Sequence, residues 1–213
     1  MEWDILRTLD GEQRREVVRM AVRRRYRSGD TLFHQGDPGD SMHLVDKGHV
    51  AIRVANGRGD LFTVDVLSPG ASFGEQSLVH DARRSAAAVA IGNVETLMLQ
   101  RPAFDELRRR YPAMAWVLVE LLAGQVRRLS DQLVDAHTMP ADQRVLKQLR
   151  RVAGIFRDGA TARLPITQEE LASLAGTTRP TANRALQPLV AEGVVGVSRG
   201  QIVVHDVERL PPS

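Results

Sequence analysis

The chain contains no cysteine. That excludes disulfides, cysteine-ligated zinc and iron–sulfur clusters, and with them one common route to sensing oxygen or redox state. Long apolar runs are also missing. The longest, Ala113 to Val119, stops at Glu120, far short of the ~20 residues a membrane span needs. The opening MEWDILRTLDGEQRR has neither the basic start nor the apolar stretch of a signal peptide, so the expected location is cytoplasmic. HExxH, a phosphate-binding P-loop, GxSxG and paired catalytic carboxylates are absent as well, which argues against an enzyme and against a metal requirement.

What remains is 213 residues, 43% hydrophobic and 26% charged, enough for two modest globular domains. The net charge of +3 is unevenly placed. Residues 140–213 hold ten Arg/Lys against seven Asp/Glu, whereas residues 1–139 balance at 19 against 19. A basic C-terminal part fits a polyanionic partner there, although an excess of three charges is also what an ordinary solvated surface carries.

Residues 1–28 read as helical and arginine-rich. From Gly29 short alternating runs take over: Thr31–Phe33, Met42–Val45, Val50–Val54, Leu61–Leu67, then Ala86–Ala90 and Glu95–Leu99. Turn formers separate them, among them Asp46-Lys47-Gly48, Ser68-Pro69-Gly70 and the Asn56-Gly57-Arg58-Gly59-Asp60 stretch, whose Arg-Gly-Asp is read as a hairpin turn. This is the pattern of a compact antiparallel barrel or roll. Pro112 opens a long helix to about Ala136, in which Leu118, Leu122, Gln125, Leu129, Gln132 and Ala136 recur at heptad spacing. So long a helix cannot hide both faces on one small roll, and a parallel homodimer is expected. His137-Thr138-Met139-Pro140 is the expected hinge, dividing residues 1–138 from 139–213.

Two motifs carry chemistry. In ITQEELASLAGTTRPTANRAL (166–186) two short helices flank Gly176, and Thr167 with Glu170 forms a capping box. Thr178 is placed to cap the second helix, whose first turns present Arg179, Thr181, Asn183 and Arg184. Arginine pairs bidentately with guanine and asparagine with adenine, while the threonines suit phosphates. Val194–Val197 and Gln201–Val204 flank Ser198-Arg199-Gly200 as a β-hairpin wing. The candidate DNA contacts are therefore Thr167, Gln168, Thr178, Arg179, Thr181, Asn183, Arg184 and Arg199. The plainer alternative is a dimeric binding module that makes no DNA contact. The other motif is Phe73-Gly74-Glu75-Gln76-Ser77-Leu78 followed by Arg84-Ser85-Ala86. Glycine permits close approach of a ligand, Glu75 accepts a sugar hydroxyl, and Arg84 with Ser85 binds an anion. Glycine, carboxylate and arginine at this spacing suit a ribose bearing a cyclic phosphate. The plainer alternative is a structural Glu–Arg pair.

On these residues the chain resembles the Crp/Fnr family of transcription regulators, and within it the cyclic AMP receptor proteins, over nearly its full length. FGEQSLVHDARRSA also resembles the phosphate-binding cassette of cyclic-AMP-dependent kinase regulatory subunits. The resemblance implies an α+β architecture: an N-terminal antiparallel β-roll of cyclic-nucleotide-binding type, a long dimerisation helix and a C-terminal winged helix-turn-helix. It implies a homodimer that binds an operator under cyclic-nucleotide control, cyclic AMP (cAMP) being favoured over cyclic GMP (cGMP), with RNA polymerase as a further partner. Phe73, Gly74, Glu75, Gln76, Arg84 and Ser85 would surround the ribose and phosphate. Where the receptor proteins set a Thr-Ser pair against adenine, this chain has Gln132 and Leu133. Where they have a glutamate in the recognition helix, it has Pro180, so the cytosine contact of a carboxylate is lost. Other members sense haem, for which His80 in the cassette region is the candidate ligand, or another small molecule.

Overall fold

The computed structural model describes residues 3, 6–79 and 83–211, which fall into two compact units: residues 1–61 with 65–128, and residues 62–64 with 129–213. Among the described residues no helix is long and apolar enough to cross a membrane.

The first unit opens on α1 (Gly11–Met20). Asp10 caps it, accepting from the backbone N–H of Glu12 and Gln13, while Gln13 reaches back to the Asp10 N–H. The helical reading of residues 1–28 fails beyond Ala21, because Val22–Tyr26 is a strand, β1. It pairs antiparallel with Val94–Met98, and Arg23 and Arg25 reach across to Glu95. Cross-strand pairing and these ion pairs override local helix propensity. β2 (Thr31–Phe33), β3 (Ser41–Ala55), β4 (Leu61–Leu67), β5 (Ser72–Phe73) and β6 (Ala87–Gln100) complete a six-stranded sheet built on the order β1-β6-β3-β4, with β2 on β6 and β5 on β3.

Two further corrections concern β3 and β6. Asp46-Lys47-Gly48 is no turn. β3 runs through it with register shifts around Lys47, and the residues expected as two later strands form the single β6. Gly48 explains why. At φ +75° it lies so close to β6 that a Cβ would meet the Asn93 carbonyl oxygen at 2.2 Å, so the glycine serves a bulge and a close backbone approach. Among the described residues, two apolar clusters form the core of this unit, one of them around Val45, Val50, Phe73, Ala88 and Val94. Met42, Leu44, Leu97 and Leu99 pack with Phe104 and Leu107 of α3 (Arg101–Arg110) and with Met114 and Val117 at the start of a long helix. A four-residue helix, α2 (Gln76–Val79), interrupts the path between β5 and β6.

The long helix, α4, spans Ala113–Thr138. Its large exposed apolar residues are Trp116, Val119, Val126, Leu129, Leu133 and Val134, of which Val119, Val126, Leu129 and Leu133 alternate with Leu122 and Ala136 at three and four positions. This exposed set is shifted by one residue from the expected heptad at Val119, Val126 and Leu133, and Gln125 turns toward Glu75.

In the second unit, α5 (Ala141–Ile155), α6 (Gln168–Leu174) and α7 (Arg179–Ala191) pack around Val145, Leu149, Val152, Leu171, Ala182 and Leu186, all buried. A four-stranded antiparallel sheet joins β7 (Arg157–Asp158), β8 (Thr161–Leu164), β10 (Gln201–Val204) and β9 (Val195–Ser198) in that order. β9 and β10 are the expected wing. Ser198 pairs with Gln201 across the two-residue loop Arg199-Gly200, with Gly200 at φ +81°.

Candidate functional site

The cassette in the first unit is assembled from chain segments far apart in sequence. Gly74, at φ +81°, follows β5, and Glu75 and Gln76 lead into α2. Arg84 comes from the segment before β6, and its backbone is fixed by bonds between Arg84 N and Asp37 O and between Gly36 N and Arg84 O, both 2.9 Å. Its guanidinium is 5% exposed. Nη1 donates to Ser41 O (2.7 Å), Gly74 O (2.9 Å) and the Ser77 hydroxyl (3.0 Å), and Nη2 donates to Ser41 Oγ (2.9 Å). The Phe33 ring lies 4.1 Å from the guanidinium carbon, and Asp40 completes a looser ion pair at 3.9 Å. Burial lowers the Arg84 pKa from its ordinary value, with Asp40 and Glu75 opposing. A Cβ on Gly74 would fall 2.6 Å from Arg84 Nη1, so this position accepts only glycine without rearrangement.

Glu75 is 1% exposed. Its Oε1 accepts from Gln125 Nε2 of α4, and its Oε2 has no partner among the described residues; nor has Arg84 Nε. Glu75 does not bond to Arg84, whose ion-pair partner is Asp40, so the structural Glu–Arg pair is not what holds these residues. A buried carboxylate oxygen without a donor is costly. The set as a whole fits a ligand that offers a hydroxyl to Glu75 and an anion to Arg84 and Ser85. Phe73 is buried behind it, stacked on His43 at 5.1 Å. Burial, then the Arg84 charge, hold the His43 imidazole down at about 4, and its Nδ1 lies 3.1 Å from Thr96 Oγ1.

Ser85 and Gln76 meet directly, Ser85 Oγ donating to Gln76 Oε1 at 3.0 Å. Gln132 and Leu133 belong to the second unit, Leu133 being exposed. His80 lies outside the described residues. Ser41, Ser77, Phe33, His43 and Gln125 were not legible as site residues. Ser77 lies in the motif itself, whereas Phe33 of β2, Ser41 and His43 of β3 and Gln125 of α4 reach the cassette through tertiary pairing that no local spacing signals.

In the second unit the capping box forms as expected. Thr167 Oγ1 accepts from Glu170 N (3.1 Å), and the Glu170 carboxylate accepts from Thr167 N (2.8 Å). Thr178 occupies the N-cap of α7, but its hydroxyl does not cap. It bonds instead to Thr181 Oγ1 at 3.2 Å, because Pro180 in the first turn leaves one fewer N–H to satisfy. Gln168 Nε2 donates to Asn183 Oδ1 at 3.3 Å, linking the two helices. Arg179, Asn183 and Arg184 are exposed on α7, and Arg199 is exposed at the wing tip. Arg144 of α5 is the residue sequence reasoning missed here. Its guanidinium donates to the carbonyls of Ala175 (3.0 Å), Gly176 (3.3 Å) and Met139 (2.8 Å), which pins the turn between α6 and α7.

Residues 23–111 match a family described as the cyclic nucleotide-binding domain, and residues 143–211 match the Crp-like helix-turn-helix domain. The chain is similar to the cyclic AMP receptor protein of Thermus thermophilus, with 37% identity over 88% of this chain and 86% of the relative. It is also similar to the CRP-like cAMP-activated global transcriptional regulator of Mycobacterium tuberculosis, with 32% identity over 85% and 83%. Among solved structures, the catabolite activator protein of Thermus thermophilus aligns with a TM-score of 0.58 and 34% identity, covering 97% of this chain and 95% of that one.

Proposed function

Because the chain belongs to the Crp/Fnr family of transcription regulators, we propose that it is a homodimer whose operator binding is set by a cyclic nucleotide, cAMP in preference to cGMP, held in the roll. The observation that carries this reading is the buried Glu75 carboxylate, one oxygen of which lacks a donor, in a cassette where Arg84 Nε also lacks an acceptor. Glu75 accepts a ribose hydroxyl, and Arg84 and Ser85 donate to the cyclic phosphate. Gly74 allows close backbone approach, while Phe73 and Gln76 border the pocket. Relatives named as cAMP-dependent regulators support the choice of nucleotide.

The functional unit comprises an effector domain, residues 1–138, and a DNA-binding domain, residues 139–213. The seam Val119, Leu122, Val126, Leu129, Leu133 and Ala136 meets its copy in a parallel helix pair. Leu133 within it and Gln132 beside it contribute to reading the purine, since an amide both donates and accepts. The cyclic nucleotide acts by its difference in affinity for two packings of this pair. Rotation near Met139–Pro140 then sets the separation of the two α7 helices for half-sites about 34 Å apart. Arg179 and Arg184 read bases, Asn183 reads a base or the backbone, and Thr167, Gln168, Thr178, Thr181 and Arg199 hold phosphates. RNA polymerase is the downstream partner, and the setting is the cytoplasm. Calorimetric titration of the full chain with cAMP and cGMP tests the effector. Binding of cAMP well below 1 mM, lost in Arg84→Ala, is the expected result. Absence of binding by either nucleotide, or unchanged binding in Arg84→Ala, refutes it.

A further inference from the structure

Gln125 and Gln76 have a role in the cassette that the effector reading does not use. Three hydrogen bonds run in one direction. Ser85 Oγ donates to Gln76 Oε1 at 3.0 Å, Gln76 Nε2 donates to Gln125 Oε1 at 3.2 Å, and Gln125 Nε2 donates to Glu75 Oε1. Each amide accepts with its carbonyl and donates with its NH₂, so the chain begins at a hydroxyl hydrogen and ends at a buried carboxylate. At its two ends it offers an acceptor to Ser85 and a donor to Glu75. A ribose cyclic phosphate offers the same pair: phosphate oxygens to Ser85 and a sugar hydroxyl to Glu75.

We propose that Gln125, relayed through Gln76, is an internal competitor of the effector: a latch that ties α4 to the cassette in the ligand-free protein and is released when the nucleotide takes its two bonds. The inference rests on the cyclic-nucleotide reading and adds its regulation. Gln125 stands within the helix that carries the dimer seam but one position off it, between Leu122 and Val126. Occupancy of the cassette therefore exchanges a roll-to-helix bond for a roll-to-ligand bond, and α4 loses one restraint at that turn. The exchange also limits affinity, because two of the ligand's contacts, at Ser85 and at Glu75 Oε1, replace bonds already made. Only the second Glu75 oxygen and Arg84 Nε gain partners outright.

Removing the latch strengthens binding. Calorimetric titration of the full chain with cAMP is expected to show Gln125→Met binding about ten-fold more tightly than wild type, equivalent to about 1.4 kcal/mol. Gln76→Met, which breaks the relay but leaves Glu75 its donor, should gain less. Equal or weaker binding by Gln125→Met overturns the proposal. A second measurement needs no nucleotide: a double-mutant cycle of Glu75→Gln and Gln125→Met in urea unfolding. Non-additive stability changes support the contact, and additive ones overturn it. If no variant binds either cyclic nucleotide yet the cycle is non-additive, the effector assignment fails while the tie between α4 and the cassette stands. An additive cycle alongside normal cAMP binding removes the latch and leaves the effector assignment intact.

Discussion

Replacing Gly74 by alanine probes the cassette without substituting a charged residue. Two costs add. At φ +81° an L side chain is strained by about 1–2 kcal/mol. The new Cβ would also fall 2.6 Å from Arg84 Nη1 and 3.2 Å from the Ser41 carbonyl oxygen. A flexible side-chain end would simply move aside, but this guanidinium is held by Ser41, Gly74 and Ser77, so it shifts only by giving up hydrogen bonds from a charged donor. Losing one such bond costs about 1.5–3 kcal/mol. Gly74→Ala should therefore destabilise the first unit by roughly 2.5–5 kcal/mol. Gly59→Ala is the control. It has a similar φ of +86° with nothing within 4 Å, and it should cost only the backbone strain. Urea unfolding followed by circular dichroism gives both numbers. Equal costs at the two glycines would refute the claim that Arg84 is rigidly seated behind Gly74.

Further predictions follow from other parts of the molecule. Arg179→Ala and Arg184→Ala, both exposed on α7, should each weaken binding to a selected duplex by about 1–3 kcal/mol while leaving thermal stability unchanged, as read by fluorescence anisotropy. The His43 imidazole is held at about 4, below its ordinary 6.5, so the unfolded chain takes up the proton first. Its contribution is complete above pH 6.5 and lost as pH falls toward 4, about 3 kcal/mol in all. His43→Gln should flatten urea midpoints across that window, and an unchanged pH slope would contradict the assignment. Val126→Glu and Leu129→Arg, at positions 62% and 63% exposed in the single chain, should yield monomers in sedimentation if α4 is the dimer helix. A wild-type monomer would refute that role outright.

Local features were well read from sequence. Gly176, Thr167 and Glu170 marked the helix-turn-helix because turn and cap chemistry is written in adjacent residues. Ser198-Arg199-Gly200 marked the wing for the same reason. What escaped was set by pairing across the chain. Val22–Tyr26 became a strand because β6 and Glu95 were there to receive it. Gly48 looked like a turn because a glycine for a bulge and a glycine for a hairpin are identical in sequence. Gln125 fits the heptad spacing, which cannot distinguish neighbouring positions on a helix that packs on more than one side. Only the cassette decides which face it takes. Arg144 gives no signal in the sequence, since two of its three acceptors are backbone carbonyls some thirty residues away.

On the proposed function, a cyclic nucleotide bound at Glu75, Arg84 and Ser85 governs DNA recognition by α7. The most direct test is anisotropy of a labelled duplex, chosen by selection from random sequence, titrated with wild type and Arg84→Ala in the presence and absence of cAMP. The account predicts that cAMP changes wild-type affinity by at least about five-fold and leaves Arg84→Ala unaffected. Identical curves for wild type with and without the nucleotide would contradict it.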